Sequence, residues 1–100
     1  RINSSQIPVL RSALEMAGMG IIPVGAYSNR EYLKDKVVIK KSVSLALSDI
    51  LYDPQTAGGL LISVPQKQGL KLLSELNDQI PLAVAIGMVE EKADFSIFVE

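Results

Sequence analysis

"LYDPQTAGGLLISVP", residues 51–65, runs from an apolar pair into Asp53-Pro54, crosses Gly58-Gly59 and enters the apolar run Leu60–Val64. A residue before proline is pushed out of the α region, so a helix arriving from upstream ends at Asp53. "LLISV" has the length and composition of a strand, and the glycines ahead of it give the chain a free turn. The stretch is therefore predicted to be a helix end, a glycine loop and a buried strand, which makes this an alternating α and β chain.

Upstream, Ser44–Leu51 is predicted to be a short helix with Leu47, Ile50 and Leu51 inward. Val37–Ile39, flanked by Lys34, Lys36, Lys40 and Lys41, is predicted to be a lysine-protected edge strand. Residues 18–33, "GMGIIPVGAYSNREYL", hold three glycines and Pro23 and are predicted to be mostly loop. Ser28 and Glu31 have capping-box spacing, which adds a short helical turn through Tyr32. Before that, Pro8 opens a helix over 8–17 after the Asn3-Ser4-Ser5 cluster. Leu10, Ala13, Leu14 and Ala17 form its apolar stripe, and Gly18 is the expected left-handed stop.

Downstream, Gln66–Asn77 carries Leu70, Leu73 and Leu76 in one stripe with Leu72 beside it, a second amphipathic helix. Pro81 introduces "LAVAIGMV", 82–89, continuous as in a strand covered on both faces. Gly87 inside it points to a bulge or a close backbone approach. A charged turn over 90–94 then leads into Phe95–Val99, and the two runs are predicted to form a closing β-hairpin. The order implies a single layered α/β (α+β) domain with a small mixed β-sheet packed by helices.

The 100 residues suit one domain, and 48% apolar with 21% charged residues excludes disorder. A formal net charge of -1 argues against a nucleic-acid module. No apolar run reaches the ~18 residues a membrane span needs. Cysteine, histidine and tryptophan are absent, which fits a cytoplasmic protein and removes thiolate nucleophiles, histidine bases and nearly all zinc sites. The chain begins at Arg1, without Met or a signal-peptide pattern, and reads as a fragment.

Chemistry is left to carboxylates, hydroxyls, cations and backbone amides. Backbone N–H groups around Gly58 and Gly59 can form an oxyanion nest, with the Thr56 hydroxyl as a further donor. The loop enters a strand rather than a helix, and it lacks a Walker lysine and the third glycine of a dinucleotide fingerprint. A structural turn is the competing reading, and on composition alone the stronger one. Asp53 has only Asp49 near it in sequence, and is a local hydrogen-bonding residue before it is a magnesium ligand. Asn29 either caps a helix or presents its amide to a ligand. Tyr27 either stacks on a base or covers the core.

The wording of these segments resembles one family. "DPQTAGGLL" is similar to the motif DPQT-[SA]-GGLL near the C-terminus of selenophosphate synthetases (selenide, water dikinases). "GIIPVGAYSNREYL" resembles the loop that precedes it there, and "ALEMAG" and "AIGMV" fall in the same order. The resemblance covers essentially the whole chain. It implies the C-terminal α/β domain, residues 1–100, of a two-domain enzyme of the aminoimidazole ribonucleotide synthetase superfamily, with the N-terminal ATP-binding domain absent. The implied reaction turns ATP, selenide and water into selenophosphate, AMP and phosphate, assisted by Mg2+, in a cytoplasmic homodimer.

The resemblance also says what this segment lacks. The family's reactive Cys or selenocysteine, its partner Lys and the magnesium-binding aspartates lie outside it. No catalytic and no metal residue is therefore expected here, and the chain alone is expected to be inactive. Thr56, Gly58 and Gly59 are expected to face the interdomain cleft near phosphate or product, with Asn29 next. The alternatives are a sister ATP-dependent kinase or synthetase of the superfamily, without the DPQT wording, and a non-catalytic interaction domain.

Overall fold

The computed structural model describes residues 1–100. Four helices, α1 (Arg11–Gly18), α2 (Val24–Leu33), α3 (Leu45–Leu51) and α4 (Gln66–Asn77), accompany two strands, β1 (Val37–Ile39) and β2 (Ile97–Val99). The strands form a two-stranded parallel sheet with Val37 opposite Ile97, Val38 opposite Phe98 and Ile39 opposite Val99. Ile2 joins the same face, parallel to Val99 and antiparallel to Gly87. The architecture is an α+β domain with a small sheet, as the alternation of elements implies.

The first helix begins later than Pro8 suggests. Asn3 instead caps a 3-10 turn over Ser4–Gln6, its Oδ1 accepting the Ser5 N–H at 3.0 Å. The chain then runs extended to Leu10, and α1 starts at Arg11. Its left-handed stop lies two residues past the expected glycine: Gly18 is the last helical residue, and Gly20 takes the left-handed turn at φ 78°. The Ile21 N–H bonds to Met16 C=O at 3.0 Å and the Gly20 N–H to Ala17 C=O at 2.9 Å. These are the paired bonds of a Schellman cap, which needs its left-handed residue one position beyond the C-cap. Gly20→Ala is expected to cost about 1–2 kcal/mol, read from urea unfolding, because the Cβ is strained at that φ although space around it is open.

Residues 24–33 correct the loop reading. Pro23 stands at the N-cap with extended dihedrals and starts a ten-residue helix. Ser28 and Glu31 lie inside it, so they form no capping box; Glu31 pairs with Lys34 instead. Glycine weakens a helix, yet Gly25 sits in the first turn of α2 for a tertiary reason. A Cβ there would stand 2.8 Å from Pro54 Cγ. Contact with the loop after α3 decides the residue.

Two expected strands do not form, and a third pairs elsewhere. Leu60–Val64 has no strand partner and is not a strand. The 82–89 run meets the sheet only at Gly87, and no terminal hairpin forms. Apolar character makes a segment strand-capable, but a strand exists only where a neighbour takes its N–H and C=O groups. For β2 that neighbour is β1, not 82–89. The Gly87 reading holds: a Cβ would lie 2.1 Å from Arg1 C=O, so only glycine admits the backbone of residues 1–3. Arg1 also ion-pairs with Glu90 at 2.9 Å, and this hydrogen bond holds the Glu90 carboxyl below its ordinary range.

Packing is thin. Helices α1 and α3 pack together, with Ala17 buried between them, and Ala26, Tyr52 and Val99 complete the buried apolar set. The accessible surface is 8057 Å², against about 5,500 Å² for a closed monomer of this mass. Leu60, Leu61, Leu82 and Val89 contribute to the excess, and Leu60 is 90% exposed.

Candidate functional site

The loop over 53–59 forms one wall of a cavity of about 1000 Å³. The other walls are the extended segment Ile7–Leu10, one face of α1, Ile21–Pro23 and the end of α3. Most of the lining is apolar. Thr56, Gly58 and Gly59 all line it, so the structure brings these three sequence-selected residues onto a single concave surface. Asp53 and Gln55 supply its other polar groups on the loop side, and Asp49 reaches it from α3.

The loop's backbone differs from the expected nest. Gly58 and Gly59 both have negative φ, whereas a nest alternates right- and left-handed residues. Gly58 has a local reason for lacking a side chain: a Cβ would lie 2.3 Å from Gln55 Oε1 and 3.3 Å from Gln55 Cβ, so it leaves room for Gln55 to fold back. Gly59 meets nothing within 4 Å. Gly59→Ala is therefore the cleaner probe of ligand approach. The substitution is expected to leave the melting temperature within about 2 °C, since nothing in the fold opposes the methyl group.

Asn29 stands apart from this wall. It lies within α2, and its Nδ2 donates to Tyr52 C=O at 2.9 Å. Beside it, the Arg30 guanidinium pairs with Asp49, lies 5.1 Å above the Tyr52 ring, and has Nη2 3.4 Å from Ser48 Oγ. Asp49 is the one buried charged residue of the chain. Sequence reading missed Arg30 and the role of Gly25, because both matter only once α2 is a full helix. The i, i+4 spacing of Gly25 and Asn29 is the signal that could have found them.

No group of three or more Asp, Glu, His or Cys side chains stands together as a metal site. Asp49 is occupied by Arg30, and Asp53 is left with backbone amides and the Gln55 and Thr56 side chains around the cavity. That donor set does not fit a magnesium ion, which asks for at least a second carboxylate or a substrate phosphate. What the wall can do is accept a ligand against a hydroxyl and uncrowded backbone. No helix is long and apolar enough to cross a membrane.

Comparison with known proteins gives no matching family model and no matching solved structure. Curated relatives do match. The selenide, water dikinase of Clostridium botulinum (strain Eklund 17B / Type B) is 46% identical over 99 residues, 99% of this chain and 29% of its own length. That of Caldanaerobacter subterraneus is 42% identical over 97% of this chain and 28% of its own length. Selenide, water dikinase 2 of Peptoclostridium acidaminophilum is 44% identical over 98% of this chain and 28% of its own length. The chain thus spans less than a third of the length of the relatives it matches, and over that span it belongs to the selenide, water dikinase family.

Proposed function

We propose that this chain is the C-terminal α/β domain of an enzyme that makes selenophosphate from selenide, ATP and water, releasing AMP and phosphate. The observation that carries the reading is the match to a selenide, water dikinase at 46% identity over 99% of this chain and 29% of the relative. The Thr56–Gly59 wall is the contribution of this segment. It offers a hydroxyl and close backbone approach to a phosphate-bearing substrate or product at the cleft with the remainder of the enzyme. Catalytic groups, ATP and Mg2+ are assigned to that remainder, the N-terminal domain, as the family resemblance implies; this segment has no cysteine, and its carboxylates do not group as a metal site. The same domain is the partner proposed for the exposed apolar faces, in a cytoplasmic homodimer.

Full-length enzyme incubated with ATP and magnesium is expected to form AMP only when selenide is present. ADP formed with another acceptor would move the assignment to a sister kinase of the superfamily. No nucleotide consumption at all would leave an interaction domain whose exposed apolar faces bind a protein.

A further inference from the structure

The chain leaving α3 is held at three points by one other helix. Arg30 grips the buried Asp49 carboxylate and covers the Tyr52 ring. Asn29 donates to Tyr52 C=O, a carbonyl at the helix end that has no partner within α3. Gly25 lets the Pro54 ring lie against the first turn of α2, where a methyl group would be 2.8 Å from Pro54 Cγ. Gly25, Asn29 and Arg30 do not line the cavity, but the residues that directly follow Pro54 do. The contacts are of different kinds, an ion pair, a charge-free hydrogen bond and a close van der Waals approach. They fix direction, rotation and height of the segment as it becomes the loop.

We infer that α2 is the seat that sets the Gln55–Gly59 loop over its cavity, with Gly25, Asn29 and Arg30 as positioning residues for the reaction proposed above. The inference rests on that reaction only for its effect on turnover. A lysine at position 30 keeps the charge but loses the planar fork and the stacking on Tyr52, so the pair with Asp49 survives while the geometry does not. Alanine at position 25 forces Pro54 away and lifts the loop at its root. Alanine at position 29 frees the Tyr52 carbonyl and lets the end of α3 fray. A residue two positions from Thr56 cannot move without moving the hydroxyl, and misplacement of about 1 Å is enough to lower a rate a hundredfold.

The test uses the full-length enzyme and two readouts, amide hydrogen exchange and steady-state kinetics with ATP and selenide. Arg30→Lys, Asn29→Ala and Gly25→Ala are each expected to speed exchange about tenfold at the loop root, where the Tyr52, Asp53 and Gln55 amides bond to the Asp49, Ile50 and Asp53 carbonyls, and leave α4 unchanged. They are expected to lower kcat at least tenfold while KM for ATP stays within a factor of two. If Gly25→Ala does not fold, Arg30→Lys, which adds no bulk, carries the test. Exchange at Tyr52, Asp53 and Gln55 equal to wild type, or raised equally in α4, overturns the seat. Retained kcat in a variant with a loosened loop overturns its catalytic importance. A wild-type enzyme that forms no AMP with selenide overturns the proposed reaction alone, because exchange still decides whether α2 holds the loop.

Discussion

Gly87→Ala is expected to destabilise the chain by about 3 kcal/mol, the upper part of the range for overpacking a closed contact. The methyl group would arrive 2.1 Å from Arg1 C=O and 3.0 Å from Ile2 Cα, and both are backbone atoms. A side chain in the way can rotate; a paired backbone cannot. Residues 1–3 are held from both sides, by Asn3 N–H to Ile86 C=O at 2.7 Å and Ile2 N–H to Phe98 C=O at 2.8 Å. Relief therefore means giving up one of these ladders. At about 4–8 °C per kcal/mol for a domain of this size, the melting temperature should fall by more than about 10 °C in a thermal scan followed by circular dichroism. Gly59→Ala is the matched control, with nothing within 4 Å of its added atom. A Gly87→Ala protein that melts with the wild type would show that the 1–3 segment is not seated against 86–88.

The second large effect is a contrast between two contexts. Leu60 is 90% exposed, so Leu60→Asp in the 100-residue chain should change stability by no more than about 0.5 kcal/mol, as for ordinary surface positions. In the full-length enzyme, where the remainder is proposed to cover this face, the same change should cost at least about 3 kcal/mol. It loses the roughly 1.5–3 kcal/mol of a buried leucine and adds the burial of a carboxylate. Urea unfolding of both proteins with and without the substitution reads the difference. Equal, small effects in both would mean that the face stays open to water, and the interdomain cleft would then have to be sought on another surface.

What could be read in advance was local. Helix α4 runs over the residues its leucine stripe and preceding proline indicate, and α3 follows its Ser44 cap, whose Oγ accepts the Leu47 N–H at 3.3 Å. Thr56, Gly58 and Gly59 are neighbours in sequence, so their meeting on one wall was legible too. The failures share a cause. Gly25 reads as a helix breaker until Pro54 is known to lie against it, and Arg30 reads as a surface cation until Asp49 is placed opposite. The partner of Phe95–Val99 was misread because apolar runs declare that they can pair, not with whom. Pairing across most of the chain wins over the nearer run at 82–89, and no spacing rule carries that information.

The pair of bridges made by Ile2 has a consequence for how this protein is made. Its two neighbours, Gly87 and Val99, belong to the last part of the segment to leave the ribosome. At about 5–20 residues per second, the nascent segment waits on the order of 5–20 s between exposing Ile2 and supplying its partners. The α1–α3 unit is complete long before then, so it can assemble while the sheet cannot. During that interval the first residues and β1 are open edges, and charged flanks such as the lysines around β1 disfavour pairing with another nascent copy.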